Sequence, residues 1–237
     1  MSEKKSGFLA LATKEIKLNL SKQDKRRLLV LLAVLAAVVG VSIARYQIYI
    51  NLRGDLTTRI LNAAYYVLIM GIAIAGMKLS GMDIKPSFRF KGAKQYIWGV
   101  ASGFLVLFVI TVVPSFFGIS IIGGHHTFPI ETYIYQFFHY FVFVGPVEEF
   151  LFRVYVQETL TEVLPRFKWI SVIIAAGLFG LWHIISGSWN QVRFAASLGL
   201  FWGLCKYFSK NCTFISTSIS HAMYDFGLLF AMQFIVK

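Results

Sequence analysis

Glu148 and Glu149 stand side by side, and Arg153 follows Glu149 by four residues, all within a long apolar stretch. Phe179 precedes His183 by four residues in a second stretch, and His221 precedes Asp225 by four in a third. On a helix of about 3.6 residues per turn, side chains four apart share a face. Glu149 and Arg153 are thus set to form an ion pair, Phe179 to pack beneath His183, and His221 and Asp225 to present one polar stripe. Glu148 points roughly 100° away from Glu149, which leaves its carboxylate free for other work. Carboxylates and imidazoles held this way suit general-base chemistry on a water molecule, or ligation of a metal. An ionisable side chain at bilayer depth costs at least ~2.5–3.5 kcal/mol, so each one is expected to face a partner or a wet cavity. A plain structural ion pair is the competing reading for Glu149–Arg153. His139, flanked by Phe137, Phe138 and Tyr140, reads as packing, and the pair His125-His126 as a polar loop or a weak metal site.

Three separate segments must converge to make one site of these residues, and composition says what the segments are. The chain has 237 residues, 57% of them hydrophobic and 14% charged. Soluble domains average about 45–50% apolar and about 25% charged, so a water-soluble fold is excluded, and 16% aromatics exclude disorder. The class is all-α, a polytopic helical membrane bundle. A span needs roughly 20 mainly apolar residues, and seven are read: 28–48, 58–78, 95–119, 130–160, 168–187, 192–208 and 213–236. Pro146 lies mid-way in the fourth, where its missing N–H predicts a kink or break. Gly99-xxx-Gly103 and Gly199-xxx-Gly203 mark expected close helix contacts. Residues 1–27 form a basic segment, with an interfacial helix or a solvated tail over 7–20, and 28–237 form a single transmembrane domain.

The net charge of +12 comes from 23 Lys and Arg, eight of them within residues 1–27. Most of the others fall in gaps that alternate with a cytoplasmic N-terminus, as the positive-inside rule requires. The partner of this charge is therefore the lipid bilayer of the cell membrane, not nucleic acid. Cys205 and Cys212 form no CxxC and imply no disulfide framework.

At Pro146, Glu148-Glu149-Phe150-Leu151-Phe152-Arg153, at Phe179-Gly180-Leu181-Trp182-His183 and at His221-Ala222-Met223-Tyr224-Asp225 the sequence resembles the CPBP family, the CAAX protease and bacteriocin-processing (Abi) intramembrane proteases. The resemblance covers about residues 95–235. It implies an endopeptidase whose site opens toward the cytoplasmic half of the bilayer. Glu148 and His183 would activate water, Glu149 with Arg153 would brace the motif, and His221 with the residue four later would stabilise the oxyanion. That residue is Asp225 here, where the eukaryotic prenyl-protein branch has Asn. Asp225 would then be protonated, or orient His221 as an imidazolium, or bind a metal. Two histidines and a carboxylate are an adequate zinc set, giving Glu148, His183, His221 and Asp225 as the ligands if zinc is used. HExxH is absent, and a metal-independent mechanism is preferred.

The implied substrate is a membrane-associated or lipidated polypeptide. In a bacterial member the role would be peptide maturation or self-immunity to a bacteriocin. A non-catalytic scaffold or regulator of the same fold is the second reading, and a small-solute transporter the third, although the repeat symmetry expected of a transporter is missing. Depth leaves a mismatch: Glu148 falls about 12 residues from the end of its span and His183 about 15 from the start of the next.

Overall fold

Backbone polar groups in hydrocarbon have to be satisfied within their own segment, so long apolar runs fold as helices. The computed structural model of the chain describes residues 20–51, 54–118 and 127–234. These residues contain seven helices and no strand: α1 (Lys22–Asn51), α2 (Asp55–Leu79), α3 (Lys94–Phe116), α4 (residues 130–163), α5 (Lys168–Ile185), α6 (Trp189–Phe208) and α7 (Phe214–Phe234). They follow the seven expected spans, with α1 reaching back to Lys22. The expected interfacial helix over 7–20, apart from Leu20, and the loop at His125-His126 lie outside the described residues.

By length and composition, α1, α2, α3 and α5 are apolar enough to cross a membrane. The other three carry the polar residues, and those are turned inward. Arg153, Glu149, Thr159 and Ser220 are fully buried, while Leu29, Val67, Phe104, Phe116 and Ile173 are exposed. A polar interior inside an apolar exterior reverses the arrangement of a water-soluble protein and suits a surface solvated by lipid.

Pro146 does not break its helix. α4 runs continuously from 130 to 163, and its departures from α geometry are two wider π-helical stretches, His139–Val144 and Phe150–Val156. Between them the α-helical piece Gly145–Glu149 carries the two carboxylates. The wider turns absorb the hydrogen bond that proline cannot make and re-aim the side chains on either side.

Glycine lets the helices that carry the site approach to backbone contact. A Cβ on Gly145 of α4 would lie 2.5 Å from the Ser218 carbonyl oxygen of α7, and one on Gly103 of α3 would lie 2.9 Å from that of Ser220. Gly99 and Gly199 are packed as closely, so both small-residue pairs mark helix contacts as expected.

The bundle has two ends. At one, Arg27 of α1 pairs with Glu162 of α4 at 2.7 Å and donates to the Ser80 carbonyl just past α2. Lys206 of α6 there pairs with Glu158 of α4. At the other, Arg45 of α1 donates to Asn62 of α2 at 2.7 and 3.1 Å, and the Arg59 guanidinium lies 4.4 Å from the Tyr135 ring centre.

Candidate active site

Glu148 and Glu149 leave the same turn of α4 toward different neighbours, as their angular separation predicts. Glu149 is fully buried and its Oε2 lies 3.3 Å from Arg153 Nε. Its Oε1 accepts from His221 Nδ1 at 3.2 Å, so one carboxylate ties α4 to itself and to α7. The Arg153 guanidinium stands 5.2 Å from the Phe179 ring centre, and Gly199 of α6 makes room for it: a Cβ there would fall 3.0 Å from Nη2. The expected ion pair is thus present, and it is one edge of a larger buried unit.

Glu148 faces the other way. Its Oε1 accepts from Tyr66 OH of α2 at 3.1 Å. Its buried Oε2 has no hydrogen-bond partner among the described residues and stands 4.0 Å from His183 Nε2 and 3.8 Å from His221 Nε2. Asp225 Oδ2 lies 3.4 Å from the same His221 nitrogen. All of Glu148, Glu149, Arg153, Phe179, His183, His221 and Asp225 are therefore brought together from α4, α5 and α7.

Each imidazole is held by a defined contact. His183 Nδ1 donates to the Phe179 carbonyl one turn back at 2.8 Å, so in the neutral ring Nε2 is left as the acceptor facing Glu148. Phe179 packs edge-on to His183, ring centres 4.8 Å apart, and also touches the His221 ring at 5.8 Å. Trp202 of α6 stacks on His221 at 4.3 Å and 22°, and is itself anchored by its Nε1 donating to Ser220 Oγ at 2.9 Å.

The difference in depth between Glu148 and His183 closes in the structure, while His221 lies seven residues from Phe214, where α7 begins. α4 extends to Val163, so Glu148 lies fifteen residues from that end, and His183 lies fifteen residues from Lys168, where α5 begins. Two antiparallel helices joined by a short loop thus carry their functional groups at one level.

Sequence reasoning did not single out Tyr66 and Trp202. Tyr65 and Tyr66 gave a usable signal, because tyrosine in a span is enriched at its ends and these two lie near the middle of α2. His139 is packed among aromatics as expected, parallel to Tyr135 at 5.3 Å and edge-on to Tyr66 at 5.5 Å. Its ring also forms part of the cavity wall.

A cavity of about 700 Å³ opens from the cluster, lined among others by Tyr66, His139, Glu148, His183, His221 and Asp225. It continues past Arg45, Asn62, Gln136 and Asn190, which lie at the end of the bundle opposite the start of α1. The resemblance implied an opening toward the cytoplasmic half of the bilayer, and these lining residues lie toward the end of the bundle away from the start of α1. Toward the start of α1, Phe150 to Val156 are seven consecutive residues with at most 1% exposure, and none of them lines the cavity. The members of the zinc set approach one another, although among the described residues no group of three His, Cys, Asp or Glu is arranged to hold a metal ion.

Residues 130–227 match the Rce1-like family, type II CAAX prenyl endopeptidase Rce1-like. The match spans α4 to most of α7 and takes in every residue of the cluster except Tyr66. No curated protein and no solved structure matches the chain.

Proposed function

We propose, from the match of residues 130–227 to the Rce1-like family of type II CAAX prenyl endopeptidases, that the chain is an intramembrane endopeptidase in which Glu148 is the general base. The carrying observation is the free Glu148 Oε2 facing His183 Nε2 and His221 Nε2 at the blind end of a cavity. A water among these three atoms donates one hydrogen bond to Glu148 and the other to His183 Nε2, whose lone pair is turned inward because Nδ1–H is engaged. The water oxygen attacks the peptide carbonyl carbon while its proton passes to Glu148. The negative charge that develops on the carbonyl oxygen is received by His221 Nε2–H, with Nδ1–H fixed on Glu149. Collapse of the tetrahedral intermediate breaks the C–N bond, and Glu148 returns the proton to the departing amine.

Asp225 does not donate to the oxyanion in this scheme. Its place 3.4 Å from His221 Nε2 supports the role of orienting that imidazole. No metal is invoked. The substrate is a membrane-associated polypeptide, and in a bacterial cell maturation of a secreted peptide or bacteriocin self-immunity are roles of this kind. The test is Glu148→Ala with normal membrane levels confirmed and cleavage of a candidate peptide assayed. Cleavage is expected to vanish, and undiminished cleavage would end the peptidase reading. Asp225→Asn, expected to keep most activity, separates an orienting group from an essential metal ligand.

A further inference from the structure

The chamber has its mouth toward one end of the bundle, and the two ends of the bundle differ in charge. The end holding the start of α1, the end of α2 and the starts of α3, α5 and α7 is basic. Thirteen Lys and Arg of the described residues lie there, among them Lys25, Arg27, Lys85, Arg89, Lys91 and Lys210. Among the described residues the mouth end has Arg45, Arg59 and Arg193. Two of these three are engaged, Arg45 with Asn62 and Arg59 with Asp55.

Side chains bind the basic end into one unit, Arg27 joining α1 to Glu162 of α4 and Lys206 joining α6 to Glu158. Between this end and Glu148 lies the buried run Phe150 to Val156. At the mouth the lining is polar, with Arg45 beside Tyr46, Asn62, Tyr135, Gln136, Asn190 and Gln191.

Lys and Arg excess in short gaps sets the cytoplasmic side of a helical membrane protein. We infer that the chamber opens to the extracytoplasmic face, so that its substrate is a polypeptide segment already translocated or exposed at the outer leaflet. A cytoplasmic prenylated tail would approach from the opposite end. The polar side chains at the mouth can engage the backbone groups of an extended segment in place of water. This inference rests on the peptidase reading for the use of the chamber, but on fold and charge alone for its direction.

The experiment is thiol accessibility, which needs no catalysis. In a chain with Cys205→Ala and Cys212→Ala, Asn190→Cys places a thiol at the mouth and Lys91→Cys places one at the basic end. Intact cells are treated with a membrane-impermeant maleimide carrying a mass tag, before or after permeabilisation. The expected result is a complete gel shift of the Asn190→Cys chain in intact cells, with the Lys91→Cys chain shifting only after permeabilisation. Any other pattern overturns the inference. If either chain fails to accumulate in the membrane, Gln191→Cys and Lys210→Cys carry the same comparison. Because the readout is labelling, loss of this result leaves the Glu148→Ala test standing, and the reverse also holds.

Discussion

Glu148 and Glu149 are neighbours in the chain with the same functional group, yet the surroundings on their two sides of α4 have little in common. On the Glu149 side everything is closed: Arg153 and His221 engage the carboxylate, Trp202 stacks on His221, and Gly199 admits the guanidinium. On the Glu148 side one oxygen is held by Tyr66 and the other is presented to a cavity. The contrast teaches that a buried charge is kept for two different ends in one turn of helix. Glu149 is part of the frame, and the cost of burying it is offset by two partners. Glu148 is left under-partnered at the place where a reacting group would sit.

Exchange of each carboxylate for its amide breaks the comparison most directly. Glu148→Gln is expected to lower cleavage by about 10²–10⁴-fold, the usual contribution of a general base, with thermal stability in detergent unchanged. Glu149→Gln is expected to destabilise by about 3–5 kcal/mol, because Arg153 is left as an unneutralised buried cation. A melting curve with no shift for Glu149→Gln would remove the distinction between the two sides. A smaller effect is expected from Gly199→Ala, whose Cβ would meet Arg153 Nη2 at 3.0 Å and Phe179 Cδ1 at 2.9 Å. Overpacking of this kind costs about 1–3 kcal/mol, read as a lowered melting temperature. Tyr66→Phe is the mildest change. It deletes the one hydrogen bond to Glu148 and should reduce turnover roughly tenfold while leaving protein levels alone. Wild-type turnover in Tyr66→Phe would place that hydroxyl outside the reaction.

Much of this contrast was readable in the residues themselves. Four-residue spacing put Glu149 with Arg153 and His221 with Asp225, and the angular offset of Glu148 predicted that it would point elsewhere. Apolar run lengths fixed the helices to within a few residues. Contacts between distant segments were not readable. Nothing local in α6 marks Trp202 as the lid on His221, because one tryptophan in an apolar run is indistinguishable from ordinary core. The second contact of Glu149 with α7 was hidden because a carboxylate has two oxygens and spacing accounts for only one. At Pro146 the missing donor predicted a kink or break, and the helix runs on without a break through wider turns on either side. The lining of the cavity was also hidden, since it depends on which distant residues packing brings together.

α7 comes close to α3 and α4 through main-chain atoms at Gly103 and Gly145, whereas the three atoms nearest a Cβ on Gly76 of α2 are side-chain atoms of Val34 and Tyr155. Atoms of the peptide skeleton have no rotamers to exchange, so the span between His221 and Glu148 is insulated from the softening that warmth or a thinner bilayer brings to side-chain contacts. Tyr66 arrives on the more compliant helix. Heating should therefore disturb the tyrosine's grip on Glu148 well before it alters the distance between carboxylate and imidazole.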